Sequence, residues 1–586
     1  MFTDKKNILQ ILAVLKGFGI SKVVLCPGSR NIPLVRSFLS EPFFKCYSVT
    51  DERSAGFFAI GVSLSGCKVA EPVIVCCTSG TAVANLYPAA AEAYYQNIPL
   101  VIVSADRPME WIGQMDGQTL PQPGFFGSLV KRAVNLPVVN SMADEWYCNR
   151  LVNEALLELN HCGVGPVQIN VPTDEPLFNF NTAVLPVTRV IRRYGDVTNS
   201  FGNTESVEDL VDKVCNFEKR MIICGQMPPS AFDCESINKL KESFACISEQ
   251  LGNNFFCDST LHNFDLALYT MDETQKEFYA SDLLITFGGH IVSKRLKSFL
   301  RKYRPKEHWH ISLSGEVVDL YCSLTAVIEM DPVRFFYMLV ERESILAGMM
   351  PDYCKLQHFT HKWKAYCSAL PAPHFEYSEM GAIEALIDNL PFDSALHISN
   401  SSSVRYAQMF NLHRSIKVFC NRGTNGIEGS LSSAVGYAAS SADIPNFVII
   451  GDLSFFYDMN ALWNTHIGSN LRVMMLNNGG GEIFNSLPGL NMDERARSFI
   501  TATHSTSAKG WVEERGFDYI GVHNACELKE ALLKFTSIEL CERPIFMEVF
   551  TLAEEDVRQL KKFYHNCKKG IVESCFERSQ LELNGN

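Results

Sequence analysis

Short, unbroken apolar runs recur along the chain, and they restrict the fold more than any other feature. Val23–Cys26, Val73–Cys77 and Leu100–Ser104 are four or five residues long and show no polar alternation. Runs this short lack the length of a buried helix, and they have no wet face. They therefore predict strands covered on both sides, as in a parallel sheet. Parallel neighbours need crossover connections, and the Ala-rich stretches Ser54–Ser65 and Thr81–Tyr95 supply helices for them. The pattern returns at Met221–Cys224, Leu283–Phe287 and His308–Ser312. It returns again at Leu396–Ser399, Val418–Cys420, Phe447–Ile450, Val473–Leu476 and Phe546–Val549. Proline-bearing, poorly periodic stretches at about 173–205 and at Ala369–Tyr377 separate the groups and read as linkers. The chain is thus predicted to be α/β, with three doubly wound parallel-sheet domains over 1–180, 200–360 and 375–565.

The charge balance narrows the function. Net charge is −13, and the short basic pairs Lys561-Lys562 and Lys568-Lys569 read as solvated helix faces, so no nucleic-acid partner is expected. No apolar run approaches the roughly 20 residues of a membrane span. Met1 leads through Lys5-Lys6 into Ile8–Leu15 with no small-residue cleavage site after it, so a cytoplasmic protein is expected. The 20 cysteines are scattered, without CxxC or zinc-type spacing, and read as buried thiols.

The third group of strands carries the chemistry. Gly451-Asp452-Leu453 directly follows the run Phe447–Ile450. Asn477-Asn478-Gly479-Gly480-Gly481 follows the next run, with Asn478 26 positions after Asp452. A carboxylate at one strand end and an amide oxygen at the next can share a cation. Mg²⁺ takes about six hard oxygens and often completes its shell with phosphate oxygens. Asp452, Asn478 and the Gly480 carbonyl would supply three of them. The glycines let backbone N–H groups approach a phosphate closely. Either piece alone is more simply a turn or a flexible loop; the pair in this order is the informative signal. In the first group, Asp51-Glu52-Arg53 precedes a helix. From the residues alone, Glu52 is either a surface cap residue or a working acid, and the surface cap is the commoner case.

These segments resemble the thiamine-diphosphate-dependent 2-oxoacid enzymes, whose motif is GDG followed some 25–30 residues later by NN; here Leu453 replaces the second glycine. The resemblance covers nearly the whole chain. It is closest to the menaquinone-pathway (MenD) branch, which joins decarboxylated 2-oxoglutarate to isochorismate to give 2-succinyl-5-enolpyruvyl-6-hydroxy-3-cyclohexene-1-carboxylate (SEPHCHC). It rests on Cys26-Pro27-Gly28-Ser29-Arg30, Asp51-Glu52-Arg53, Thr78-Ser79-Gly80-Thr81, Ser104-Ala105-Asp106-Arg107-Pro108 and Gly117-Gln118 with Gln122-Pro123-Gly124. Ser293-Lys294-Arg295-Leu296, Asn400-Ser401 with Arg405, Asn421-Arg422-Gly423 with Gly426-Ile427, Gly451-Asp452-Leu453-Ser454 and Asn477–Phe484 continue it in order.

The resemblance implies thiamine diphosphate and Mg²⁺, with Mn²⁺ as an alternative, and a homodimer or dimer of dimers with its sites at the subunit interface. It implies that Glu52 hydrogen-bonds N1′ of the cofactor's aminopyrimidine and promotes deprotonation of thiazolium C2, a task suited by a carboxyl whose pKa burial has raised. Gly451, Asp452, Leu453, Ser454, Asn478, Gly480 and Ile483 would hold the cofactor, and Ile427 would wedge between its rings. Ser401 and Arg405 would hold the succinyl carboxylate. Ser29, Arg30, Arg107, Lys294 and Arg295 would meet isochorismate. Gln118 would contact the reacting oxygen region, Arg422 would stand near the intermediate, and Phe484 and Leu487 would join Ile483 in an apolar wall. Catalytic roles fall on Glu52, Gln118, Arg30 and Arg107. Taken singly, an Arg on a loop is most often solvated and Ile427 is ordinary core. The chemistry agrees with the assignment, because both substrates are dicarboxylates and Arg forks suit carboxylates. No His-His pair of the simple thiamine decarboxylases occurs. The alternatives are an acetolactate synthase-like carboligase, which has little use for so many cations, and a non-catalytic α/β scaffold, which has no need of Glu52, Asp452 and Asn478 together.

Overall fold

In the computed structural model, residues 1–66, 70–193, 207–229, 238–253, 261–349, 353–481, 493–537 and 542–583 are described. They form three entirely parallel sheets. The first contains β1 (Lys22–Leu25), β2 (Lys45–Ser48), β3 (Val73–Cys77), β4 (Leu100–Asp106), β5 (Arg132–Asn135) and β6 (Val167–Pro172), in the order β2-β1-β3-β4-β6-β5. The second contains β7 (Arg220–Cys224), β8 (Ala245–Ser248), β9 (Leu283–Phe287), β10 (Glu307–Ser312) and β11 (Ala326–Glu329), in the order β11-β10-β9-β7-β8. The third contains β12 (Ala395–Ile398), β13 (Lys417–Phe419), β14 (Asn446–Gly451), β15 (Leu471–Asn477), β16 (Asp518–Val522) and β17 (Ile545–Phe550). Its order is β13-β12-β14-β15-β17-β16, so the first and third sheets repeat one strand order.

Every run predicted as a strand is one. Central strands such as β3 and β9 are buried along their whole length, because helices cover both faces of the sheet. The stretch predicted as one helix over Thr81–Tyr95 is two, Thr81–Asn85 and Tyr87–Tyr95, with Pro88 in the first turn of the second. Residues 173–193, read as a linker, have little regular structure yet are fastened to the first domain. Asn149 donates to Thr188 Oγ1 and the Arg189 carbonyl, and Ile191 N donates to Asn153. Phe2 and Thr182 pair as an isolated bridge.

The first and third sheets share a core. Residues of the helix Glu52–Leu64 and of the helix Ser430–Ser440 belong to the same buried cluster as β3 and β14. The two helices touch backbone to backbone. A methyl group at Gly61 would lie 1.9 Å from the Ser433 carbonyl oxygen, and one at Gly436 would lie 2.1 Å from the Phe58 carbonyl oxygen. Only glycine permits that approach. A second clamp joins these domains: buried Glu92 accepts from Gly423 N and Thr424 N, each at 2.7 Å, and from Thr424 Oγ1 at 2.8 Å. The middle domain is strapped to the third by Asn253, which pairs with both Val418 N and Val418 O across the open edge of β13. The C-terminal helix Ala553–Leu583 returns against the third and middle domains, where Phe563 packs on both cores.

The described cysteines are all free thiols and mostly buried. No described helix is long and apolar enough to cross a membrane.

Candidate active site

Strands β14 and β15 are neighbours with Gly451 opposite Leu476. Their carboxyl ends therefore present Asp452 and Asn478 side by side. The helix Asp452–Asp458 begins at the acid, whose charge suits a helix N-terminus. Asp452 is buried. Its Oδ1 accepts from Leu453 N at 2.6 Å, and its Oδ2 accepts from Gly479 N at 2.9 Å and Gly480 N at 3.0 Å. Asn478 donates its amide to Glu379 Oε1 at 2.9 Å, which orients the side chain and leaves Oδ1 accepting from Gly480 N at 3.1 Å. The two candidate ligand oxygens thus converge on one backbone N–H. Gly479 has φ +79°, and a methyl group there would lie 2.9 Å from the His504 carbonyl oxygen; at Gly480 one would lie 2.7 Å from the Thr501 carbonyl oxygen. The loop has room for glycine only.

A divalent cation fits this place. Burial pushes the Asp452 carboxyl above its ordinary range. Among the described residues no Lys or Arg pairs with it, and its one basic neighbour is His504, with Nε2 at 3.3 Å. A buried carboxylate beside an amide oxygen is a hard-oxygen set lacking a full positive charge. No group of three or more His, Cys, Asp or Glu suited to a metal occurs among the described residues; the set here has one carboxylate and draws its other oxygens from an amide and the backbone. Gly451 N donates to Ser399 Oγ at 3.4 Å, and Ser454 Oγ donates to the Ile427 carbonyl at 2.5 Å, which ties the Ile427 loop to the Asp452 helix. The Ile427 side chain is exposed in the single chain. Ile483, Phe484 and Leu487 lie outside the described residues.

Ser401 follows β12 and stands at the N-terminal boundary of the helix Ser402–Ala407, without a capping side-chain hydrogen bond, in a backbone conformation (φ +75°, ψ −128°) that side chains rarely adopt. Strain of about 1–3 kcal/mol held in this way is typical of functional loops. Arg405 lies on that helix. Its burial, and Arg422 beside it, press its pKa down. Arg422 is buried, donates to Asn400 Oδ1 at 2.8 Å, and has a buried Nε without a partner among the described residues. A buried cation so lightly satisfied calls for an anion.

Arg405 also lines a cavity of about 570 Å³ between the third domain, the middle domain and the C-terminal helix. Lys294 and Arg295 line it from the start of the helix Lys294–Lys302. Ser293 caps that helix. Buried Glu249 accepts from Val292 N at 2.6 Å and Ser293 N at 2.7 Å, and full burial pushes its carboxyl up to about 7. Arg295 pairs with Asp265.

The first sheet gathers a separate set at its own carboxyl end. Arg30 is buried, 3.1 Å from Glu175 Oε1, and burial and then Arg107 lower its pKa. Arg107 Nε bonds Asp116 Oδ2 at 2.9 Å and the Gly117 carbonyl at 3.0 Å. Gln118 stands at φ +58° against Gly80, and Ser29 is exposed. Glu52 is the first residue of its helix, but the cap is Asp51, which accepts from Arg53 N at 2.9 Å and Ser54 N at 3.3 Å. The Glu52 carboxylate is not spent on capping; its Oε2 accepts from Asn85 Nδ2 at 3.4 Å.

The structure therefore brings the third-sheet residues together, joins Lys294 and Arg295 to Arg405 around one cavity, and sets Ser29, Arg30, Arg107 and Gln118 at the end of another sheet. His504, Glu379 and Glu249 escaped the sequence reading. Each is a lone polar residue, and no spacing marks it.

Two family models match the chain: "Thiamine pyrophosphate enzyme, N-terminal TPP binding domain" over residues 9–125 and "Middle domain of thiamine pyrophosphate" over residues 204–343. Among curated proteins, the chain is 55% identical over 570 residues to a 2-succinyl-5-enolpyruvyl-6-hydroxy-3-cyclohexene-1-carboxylate synthase of Bacteroides thetaiotaomicron, covering 97% of this chain and 100% of the relative. It is 54% identical to that of Bacteroides fragilis with the same coverage. It is 35% identical over 559 residues to that of Flavobacterium psychrophilum, covering 95% of this chain and 98% of the relative.

Proposed function

Because the chain belongs to the thiamine-diphosphate-dependent SEPHCHC synthases, we propose that its residues divide the reaction between two sheet ends, a metal-and-diphosphate end at Asp452 and an acid end at Glu52. The enzyme is a transferase of menaquinone biosynthesis. It decarboxylates 2-oxoglutarate and adds the resulting succinyl group to isochorismate. Thiamine diphosphate, when bound, supplies the electron sink for decarboxylation.

Asp452, Asn478 and the Gly480 carbonyl hold Mg²⁺ or Mn²⁺. Gly451, Leu453 and Ser454 line the diphosphate with them, and Ile427 and Ile483 shape the ring pocket. Glu52 holds and moves the proton at N1′. Ser401, Arg405 and Arg422 bind the oxoacid, with Phe484 and Leu487 as an apolar wall. Ser29, Arg30, Arg107, Lys294 and Arg295 bind isochorismate, and Gln118 orients its reacting region. The sites form between subunits of a dimer or a dimer of dimers. Trp111 and Met115, exposed in the single chain near Arg107 and Gln118, suit burial against a second copy.

The observation that carries the metal end is the convergence of Asp452 Oδ2 and Asn478 Oδ1 on Gly480 N. The test is incubation with 2-oxoglutarate, isochorismate, thiamine diphosphate and Mg²⁺, following isochorismate loss and product mass. Activity should vanish on chelation and return with Mg²⁺ or Mn²⁺. Full activity in chelator would remove the metal assignment, and turnover of pyruvate in place of 2-oxoglutarate would remove the oxoacid assignment.

A further inference from the structure

The C-terminal helix meets the site just described at two places, behind the metal end and at the cation-lined cavity. At its root, Asp556 Oδ1 accepts from Glu379 N at 2.8 Å, and Glu379 is the residue that orients Asn478. Two turns on, Tyr564 reaches Arg295. Arg295 Nη1 donates to Tyr564 Oη at 3.1 Å, and the guanidinium carbon lies 4.5 Å from the Tyr564 ring centre and 5.0 Å from that of Tyr269. The two rings lie 4.7 Å apart. Arg295 thus lies against two adjoining aromatic rings on two different elements, and Asp265 fixes the same Nη1. Its Nε and Nη2 have no partner among the described residues, and the side chain lines the cavity with Lys294 and Arg405.

A guanidinium clamped through one nitrogen, with the other edge unused, is ready to receive a planar carboxylate in a two-pronged contact. Its mobility is spent before the ligand arrives, which favours binding. We infer that Tyr564 is a positioning residue that sets Arg295 to receive a carboxylate of isochorismate, so that the C-terminal helix takes part in selecting the second substrate. This rests on the assignment of Arg295 to isochorismate.

The test uses the full chain loaded with thiamine diphosphate and Mg²⁺. It compares Tyr564→Ala, Tyr564→Phe, Arg295→Ala and the Tyr564→Ala/Arg295→Ala pair. Two quantities are read: the KM for isochorismate, and single-turnover CO₂ release from 2-oxoglutarate without isochorismate. Tyr564→Ala should raise that KM about tenfold, the size of one lost hydrogen bond plus a cation–ring contact, with CO₂ release unchanged. Tyr564→Phe keeps the ring and the packing, and should raise KM by a smaller factor. It keeps the test open if the alanine variant unfolds. The double variant should be no worse than Arg295→Ala alone, because both changes act through one guanidinium. An unchanged KM in both Tyr564 variants, with a raised KM in Arg295→Ala, overturns the role of Tyr564 and spares that of Arg295. An unchanged KM in Arg295→Ala overturns both. Equal damage to CO₂ release and KM in Tyr564→Ala reduces the residue to a structural prop.

Discussion

Glu52 and Asp452 are both first residues of helices that follow strands, yet they are used differently. Asp51 takes over the capping of the Glu52 helix, so Glu52→Gln should leave the fold and cofactor affinity intact. Loss of proton exchange at N1′ should slow the chemistry by roughly 10²–10⁴-fold. Hydrogen–deuterium exchange at thiazolium C2 of the bound cofactor, read by quenched-flow NMR, reports this directly, and a wild-type rate would return Glu52 to an idle surface position. Asp452 is enclosed by the N–H groups of Gly479 and Gly480. Gly479→Ala forces a methyl group toward the His504 carbonyl at a positive φ. Strain of about 1–3 kcal/mol should appear as weaker thiamine diphosphate affinity in titrations at fixed Mg²⁺, with little change in thermal stability. Affinity equal to wild type would mean the loop takes no part in holding the cofactor. The Asp452–Asn478 pair was legible in the sequence because adjacent parallel strands end at the same edge, so order and spacing stand in for proximity. Glu379, about 100 positions before Asn478, and His504 beyond it were not legible, since a single side chain brought in by tertiary packing leaves no local period.

Element by element, legibility follows unbroken apolar runs more than burial: β6 is buried along its length yet does not declare itself, because Gln168 and Asn170 interrupt it. Strands β3, β9 and β14 declare themselves as apolar runs because helices cover both their faces. The edge strands β2, β5, β11 and β16 are partly exposed; their sequences, such as KCYS and RAVN, mix polar and apolar residues and pass for loop. The helix pair Glu52–Leu64 and Ser430–Ser440 shows the same limit from the other side. The first reads as a helix rich in small residues, the second is not singled out by the sequence reading, and nothing local says that Gly61 and Gly436 face each other's backbone. Gly61→Ala or Gly436→Ala should each destabilise the chain by about 1–3 kcal/mol or more, the cost of overpacking a tight core. Both clashes lie on one seam, so the double variant should lose less than the sum. Thermal unfolding of the three variants measures this, and strictly additive losses would show that the helices do not share one contact.

For the molecule as a whole, the proposed assembly makes a prediction that no single chain can meet. Glu52→Gln and Asp452→Ala chains should each be inactive alone, and subunit exchange between them should restore activity through mixed dimers that hold one intact site. Exchange confirmed by mass, with no return of activity, would place both residues in one chain's site. The glycine seam bears on why two unlike residues are proposed to serve one cofactor. The contact of Gly61 with Ser433 is mirrored by that of Gly436 with Phe58, and the step along the sequence from Phe58 to Ser433 is the same as that from Gly61 to Gly436. With matching strand orders on either side, the seam is a local half-turn axis. The same step carries Glu52 to Ile427. One corner of one frame is thus present twice in each chain, with an acid in the first copy and an apolar side chain in the second, so a scaffold that is symmetric in its backbone presents unlike side chains at equivalent places.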